Sequence, residues 1–236
     1  GYAEYSILFS EEAKNGGFAD FDHLASDLSA DGTDAFVVEL PDKVLPGIYT
    51  AELVLHDINC GDKKYPFSYE VLYPDSVIVQ RWDDMLSVTN DRWNGGYTFS
   101  AYQWYKDGSP MEGQTHSYLY VPEEKLDINA EYAVLLTRVD DNVTVMTCPF
   151  TPVEISEEEK DKLVISLNNM TYNGQVVEVV VNEPVQIKVY NAMGVKVMEE
   201  YVEERAEICL PKMEGLYILE VTNSEGKRET YRVIVK

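Results

Sequence analysis

The 236-residue chain is 45% hydrophobic and 26% charged, too apolar for a disordered tail. Its longest aliphatic stretch, 176–181, is interrupted by Glu178 and is far too short for a membrane-spanning helix. With 19 Lys and Arg against 42 Asp and Glu, the formal charge of −23 repels phosphate backbones and anionic lipid, which argues against nucleic-acid partners and direct membrane insertion.

Tyrosine dominates the aromatics, 17 Tyr against 7 Phe and 3 Trp, and a ring with one dry side and one wet tip suits β-strands. Apolar runs of strand length follow one another at 5–9, 35–40, 49–55, 97–105, 132–139 and 185–190. Between such runs lie residues that tolerate positive φ: Asn94-Gly95-Gly96, Asp107-Gly108, Asp140-Asp141-Asn142, Asn173-Gly174 and Glu225-Gly226. Helical periodicity is nearly absent. The expected fold is all-β, in sandwich or barrel form.

A pattern recurs three times along the chain: a strand closed by Pro, then a Tyr opening the next strand, then a hairpin. The copies run from Pro41 to Tyr49, from Pro122 to Tyr132, and from Pro211 to Tyr217. Proline has no N–H for a ladder and so ends a strand, while the tyrosine ring packs and its hydroxyl bonds nearby backbone. This resembles the tyrosine corner of immunoglobulin-like sandwiches. Three tandem immunoglobulin-like β-sandwich domains are therefore expected. They are a module over 1–74, a domain over 75–153, an acidic linker over 154–162 and a last domain over 163–236. Gly1 reads as a remnant of tag removal from a longer chain, and the first module as short of an N-terminal strand.

In the middle part, Ala101-Tyr102-Gln103-Trp104-Tyr105-Lys106-Asp107-Gly108 resembles the third strand of an immunoglobulin-like domain, with Trp104 as its core ring. Asp127-Ile128-Asn129-Ala130-Glu131-Tyr132 resembles that family's corner with one extra residue. Val134 stands where the family carries a disulfide cysteine, so packing around Trp104 has to replace the bridge.

In the last part, Val189-Tyr190-Asn191-Ala192-Met193-Gly194, then Gly215-Leu216-Tyr217, then Tyr231-Arg232-Val233-Ile234-Val235-Lys236 resemble the C-terminal sorting domain of the type IX secretion system of Bacteroidetes. In place of that family's Tyr-Pro-Asn-Pro opening turn this chain has Met170-Thr171-Tyr172-Asn173-Gly174. The resemblance implies an extracellular or cell-surface location, outer membrane associated, and secretion machinery as a partner. The residues that carry it are Tyr190, Asn191, Gly194, Gly215, Tyr217, Val233 and Lys236.

Catalytic and cofactor signatures are missing from the sequence: no GxSxG, P-loop or GxGxxG occurs, and no cofactor is expected. His23, His56 and His116 are far apart in sequence and form no zinc-ligand pair. The odd number of cysteines, Cys60, Cys148 and Cys209, reads as three small buried fillers. Asp20, Asp22, Asp27, Asp31 and Asp34 crowd one stretch and are the best calcium candidates, against a plain turn-forming reading. Trp82, Trp93 and Tyr97 flank the Asn94-Gly95-Gly96 turn and are the candidates for stacking on a glycan, against a core or module-interface role. The expected function is non-catalytic: spacer modules with an export or anchoring domain. The alternative is a carbohydrate- or protein-binding module in the first two domains.

Overall fold

The computed structural model describes residues 4–25, 37–57, 59–89, 93–156, 165–167, 170–171 and 176–236. The fold is all-β, with 19 strands and one α-helix of five residues among the described residues. No helix among them is long and apolar enough to cross a membrane. The chain divides into two compact units, Gly1–Leu72 and Tyr73–Lys236.

The first unit holds β1 (Glu4–Phe9), α1 (Glu11–Asn15), β2 (Phe21–Ala25), β3 (Gly47–His56) and β4 (Lys63–Val71), with its strands in one antiparallel sheet ordered β2-β1-β3-β4. Ile7, Phe9, Tyr49, Ala51 and Val71 face one side of it, and Ala13 of α1 and Phe18 close over them. The helix breaks the expectation of strands alone. Ser10 caps it, its Oγ accepting the Ala13 N–H at 3.2 Å, with Glu11 and Glu12 in the first turn where the helix dipole favours acids. The strand expected over 35–40 is a second correction. Residues 37–40 have no ladder partner among the described residues, and Val37 and Leu40 are exposed. Residues 35 and 36 lie outside the described part.

The second unit contains two sandwiches. The first pairs a sheet of β5 (Ile78–Trp82), β6 (Met85–Val88) and β9 (Tyr118–Tyr120) with a sheet of β7 (Phe99–Lys106), β8 (Ser109–Pro110), β10 (Tyr132–Arg138) and β11 (Thr144–Met146). The orders β5-β6-β9 and β11-β10-β7-β8 are those of an immunoglobulin-like sandwich. Trp104 is fully buried at its centre, opposite Val134 in register, and its Nε1 donates to the His116 carbonyl at 3.0 Å.

The second sandwich has β12 (Ile165–Leu167), β14 (Val176–Val181) and β17 (Arg205–Cys209) in one sheet. The other sheet is made of β13 (Met170–Thr171), β15 (Val185–Asn191), β16 (Lys196–Val202), β18 (Gly215–Asn223) and β19 (Arg228–Val235). Valines of β14 and β15 and Leu219 and Val221 of β18 form its core.

All three repeat tyrosines are buried and tied to backbone a few residues upstream. Tyr49 Oη donates to the Leu45 carbonyl at 2.9 Å and Tyr217 Oη to that of Met213 at 3.1 Å, while Tyr132 Oη accepts the Asp127 N–H at 3.1 Å. The cysteine reading is corrected: Cys60 and Cys209 are exposed and Cys148 is half-buried, so none serves as a buried filler.

Candidate functional site

Strand pairing brings the residues that resemble a sorting motif to one end of the five-stranded sheet. Asn191 lies opposite Tyr217, Tyr217 opposite Val233, and Gly215 opposite Val235. Asn191 Oδ1 accepts the N–H groups of Met193 and Val195, each at 3.0 Å, and closes the β15–β16 turn. Gly194 takes φ +77° there, a left-handed conformation that an L side chain resists. Tyr217 and Val233 are core residues, while Tyr190 is half-buried beside Ile218. The Lys236 N–H donates to the Thr171 carbonyl at 2.9 Å, and its Nζ reaches the Gly96 carbonyl at 3.3 Å. Each of these residues thus has a job in the fold itself.

The three rings chosen for stacking do not share a face. Trp82 is buried with Met85, Tyr118 and Val180. Tyr97 packs against the core around Trp104, and the Arg138 guanidinium lies over its ring at 3.9 Å. Arg138 is itself buried and donates from Nε to Tyr73 Oη at 3.1 Å. Trp93 alone of the three is exposed, at 66%, and sits at φ +60°. A bulky residue rarely adopts that conformation.

Of the calcium candidates, Asp27, Asp31 and Asp34 lie outside the described residues. Asp20 accepts the Phe9 N–H at 2.7 Å and pairs with Lys14 at 2.9 Å, and Asp22 accepts the Ser6 hydroxyl at 3.0 Å. Both carboxylates are engaged by protein groups, and among the described residues no three His, Cys, Asp or Glu are placed to hold a metal ion.

Two features escaped sequence reasoning. The first is the seam between the two sandwiches of the second unit. Along β14, Val177, Val179 and Val181 face their own core, so Glu178 and Val180 point the other way. Val180 meets Trp82, Met85 and Tyr118 of the preceding sandwich. Glu178 Oε2 accepts the Ser117 N–H at 2.9 Å and also the Ser117 hydroxyl, while Oε1 lies 2.8 Å from His116 Nδ1. Burial pushes the Tyr118 phenol up, against an opposing hydrogen bond from Arg205 of β17. Strand β6 is buried on both faces in consequence. Dense apolar runs at 85–88 and 176–181, each broken by a single polar residue, Ser87 and Glu178, rather than alternation, were the available signal, since a strand covered on both sides needs little polar face.

The second is a cluster in the first unit, where folding brings His23 and His56 together, ring centroids 4.1 Å apart and 15° from parallel. Ser6 Oγ lies 2.8 Å from His56 Nε2, and His56 Nδ1 lies 3.1 Å from Asp62. The order Ser–His–Asp is that of a hydrolase relay, but Ser6 is 1% exposed and its proton goes to Asp22. A buried hydroxyl already committed to a carboxylate cannot attack a substrate.

No family model matches the chain, and no curated protein matches it. Among solved structures it is similar to the three N-terminal domains of the bacteriophage RB49 highly immunogenic outer capsid protein, at 13% identity and TM-score 0.22 over 81% of this chain and 54% of that one. It is similar to the BSP domain of a biofilm-associated protein, at 10% identity and TM-score 0.37 over 82% and 43%. A third likeness is to the Bacteroides ovatus mixed-linkage glucan utilization locus protein SGBP-B in complex with a mixed-linkage heptasaccharide, at 10% identity and TM-score 0.25 over 100% and 61%. The chain spans between 43% and 61% of the length of these structures, and scores this low carry no argument about ligand or partner.

Proposed function

We propose that this chain is a non-catalytic region of a secreted or cell-surface protein, in which β-sandwich spacer modules precede an export or anchoring domain of type IX sorting-like character. The observation that carries the spacer reading is the seam. Val180 sits among Trp82, Met85 and Tyr118, with Glu178 gripping Ser117, so adjacent sandwiches are joined through a dry contact as well as through the chain. A stalk benefits from such a joint because it resists bending. The export reading rests on the motif residues gathered at one end of the five-stranded sheet.

The test uses the full-length parent in its own bacterium, with and without residues 154–236. Protease accessibility of intact cells is read. Loss of surface exposure with build-up of folded truncated protein in the periplasm is the expected result. Unchanged exposure removes the export role and leaves a structural cap.

Exposed Trp93 favours a second reading, a carbohydrate- or protein-binding module. A ligand of that module raises the unfolding temperature with concentration by mass action, and a spacer shows no such response.

A further inference from the structure

Strand β2 is a short edge strand that pairs with β1 in a broken register, and four of its five residues are exposed. Apolar burial holds it at one end only, where Phe21 packs beside Phe9. What meets it is a cluster of two histidines, three carboxylates and Ser6. His23, at the centre of β2, takes φ +48°. Its N–H donates to Ser6 Oγ at 3.0 Å, its Nδ1 lies 2.9 Å from Glu4 and its Nε2 lies 3.8 Å from Asp22. His56, on β3, stacks on that ring with Nε2 facing Ser6 and Nδ1 facing Asp62.

Proton counting fixes what this arrangement needs. The Ser6 proton is given to Asp22, so His56 Nε2 must donate to Ser6 Oγ. His56 then has an acceptor at both nitrogens, while His23 has Glu4 in hydrogen-bond reach of Nδ1 and Asp22 at ion-pair distance from Nε2. A neutral imidazole carries one N–H and satisfies one acceptor, whereas the doubly protonated ring satisfies both. The geometry points to a proton-operated latch: a proton taken up by His23, stacked on His56, fastens edge strand β2 to the β1–β3 sheet, and its loss frees it.

Among the described residues, the titratable groups facing the stack are Glu4 from β1, Asp22 from β2 and Asp62 from the turn before β4. Three carboxylates surround the stack, so the cluster stays net negative when His23 is charged. The Glu4 hydrogen bond holds His23 above its ordinary value, with Glu4, Asp22 and Asp62 adding to it against a smaller effect of burial. A histidine raised on folding contributes fully below its unfolded value of about 6.5, and the contribution is lost as pH rises through the raised value. The latch is therefore closed in mild acid and open in mild base. When open, it leaves the N–H and C=O groups of β1 as the free edge, a template for pairing with another strand.

The test is amide hydrogen exchange on the full chain at about pH 5.5 and about pH 8, corrected for intrinsic exchange. Exposed ion pairs are individually weak, so the expected result is a roughly threefold to tenfold fall in protection across 21–25 at the higher pH. Amides of β18 serve as the unchanged reference, and His23→Asn, which tolerates the left-handed backbone and carries no titrating ring, reduces the response. Equal protection at both pH values overturns the latch, as does an unaltered response in His23→Asn.

Discussion

Glu178 of β14 accepts the backbone N–H of Ser117 at 2.9 Å, so a strand of one sandwich satisfies a loop of its neighbour. The same carboxylate takes the Ser117 hydroxyl, and its side chain is only 17% exposed. Replacing Glu178 by Ala strands both donors at a largely dry contact. The expected cost is about 1–3 kcal/mol, read as a lower midpoint in denaturant unfolding. Glu178→Gln keeps an acceptor oxygen and costs less. Equal stability of Glu178→Ala and the parent chain would show the seam to be held by Val180 and its apolar neighbours alone.

The three corner tyrosines make a matched set. Tyr49→Phe, Tyr132→Phe and Tyr217→Phe each keep the buried ring and remove one bond to backbone. Each is expected to cost about 0.5–1.5 kcal/mol. Tyr132→Phe also leaves the Asp127 N–H without its acceptor, while the other two free a carbonyl. Thermal unfolding of the single variants checks the set.

Trp93→Gly separates strain from function. The side chain is exposed and its backbone is left-handed, a conformation that costs most residues roughly 1–2 kcal/mol and glycine little. Stability is expected to hold or rise. If glycan titration stabilises the parent chain and not this variant, the exposed ring is a binding element. No response in either leaves the ring without a glycan role.

Asp20 gives an acid-side signature. Burial alone would raise its carboxyl, but Lys14 and the Phe9 N–H outweigh it and hold it below the ordinary carboxylate range. A carboxylate lowered on folding contributes above its unfolded value of about 3.9 and loses that contribution as pH falls through the lower folded value. Asp20→Asn is expected to flatten the stability of the first unit between about pH 4 and pH 2, measured by denaturant midpoints across that range.

Strand positions were largely legible because hairpin residues and period-two runs are local signals. The glycines of the β7–β8 and β18–β19 turns do take positive φ, as does Asn142. The tyrosine corners were legible for the same reason, since ring and carbonyl acceptor are four residues apart in two of the three cases. What sequence could not show was tertiary. Arg138 over Tyr97 joins residues 41 positions apart, and Val180 against Trp82 joins residues 98 apart. Nor does spacing reveal that His23 and His56 stack, because adjacency across a sheet depends on register. The short helix at 11–15 carries one buried residue, Ala13, too little to register as periodicity.

The double burial of β6 has an evolutionary cost. Met85, Leu86, Ser87 and Val88 all lie inside, so a recombination event that separated the last sandwich from its neighbour would open Met85 and Trp82 to water and create a sticky patch. Modules joined by flexible tethers can be swapped one at a time among unrelated hosts. The seam between these two penalises such a swap.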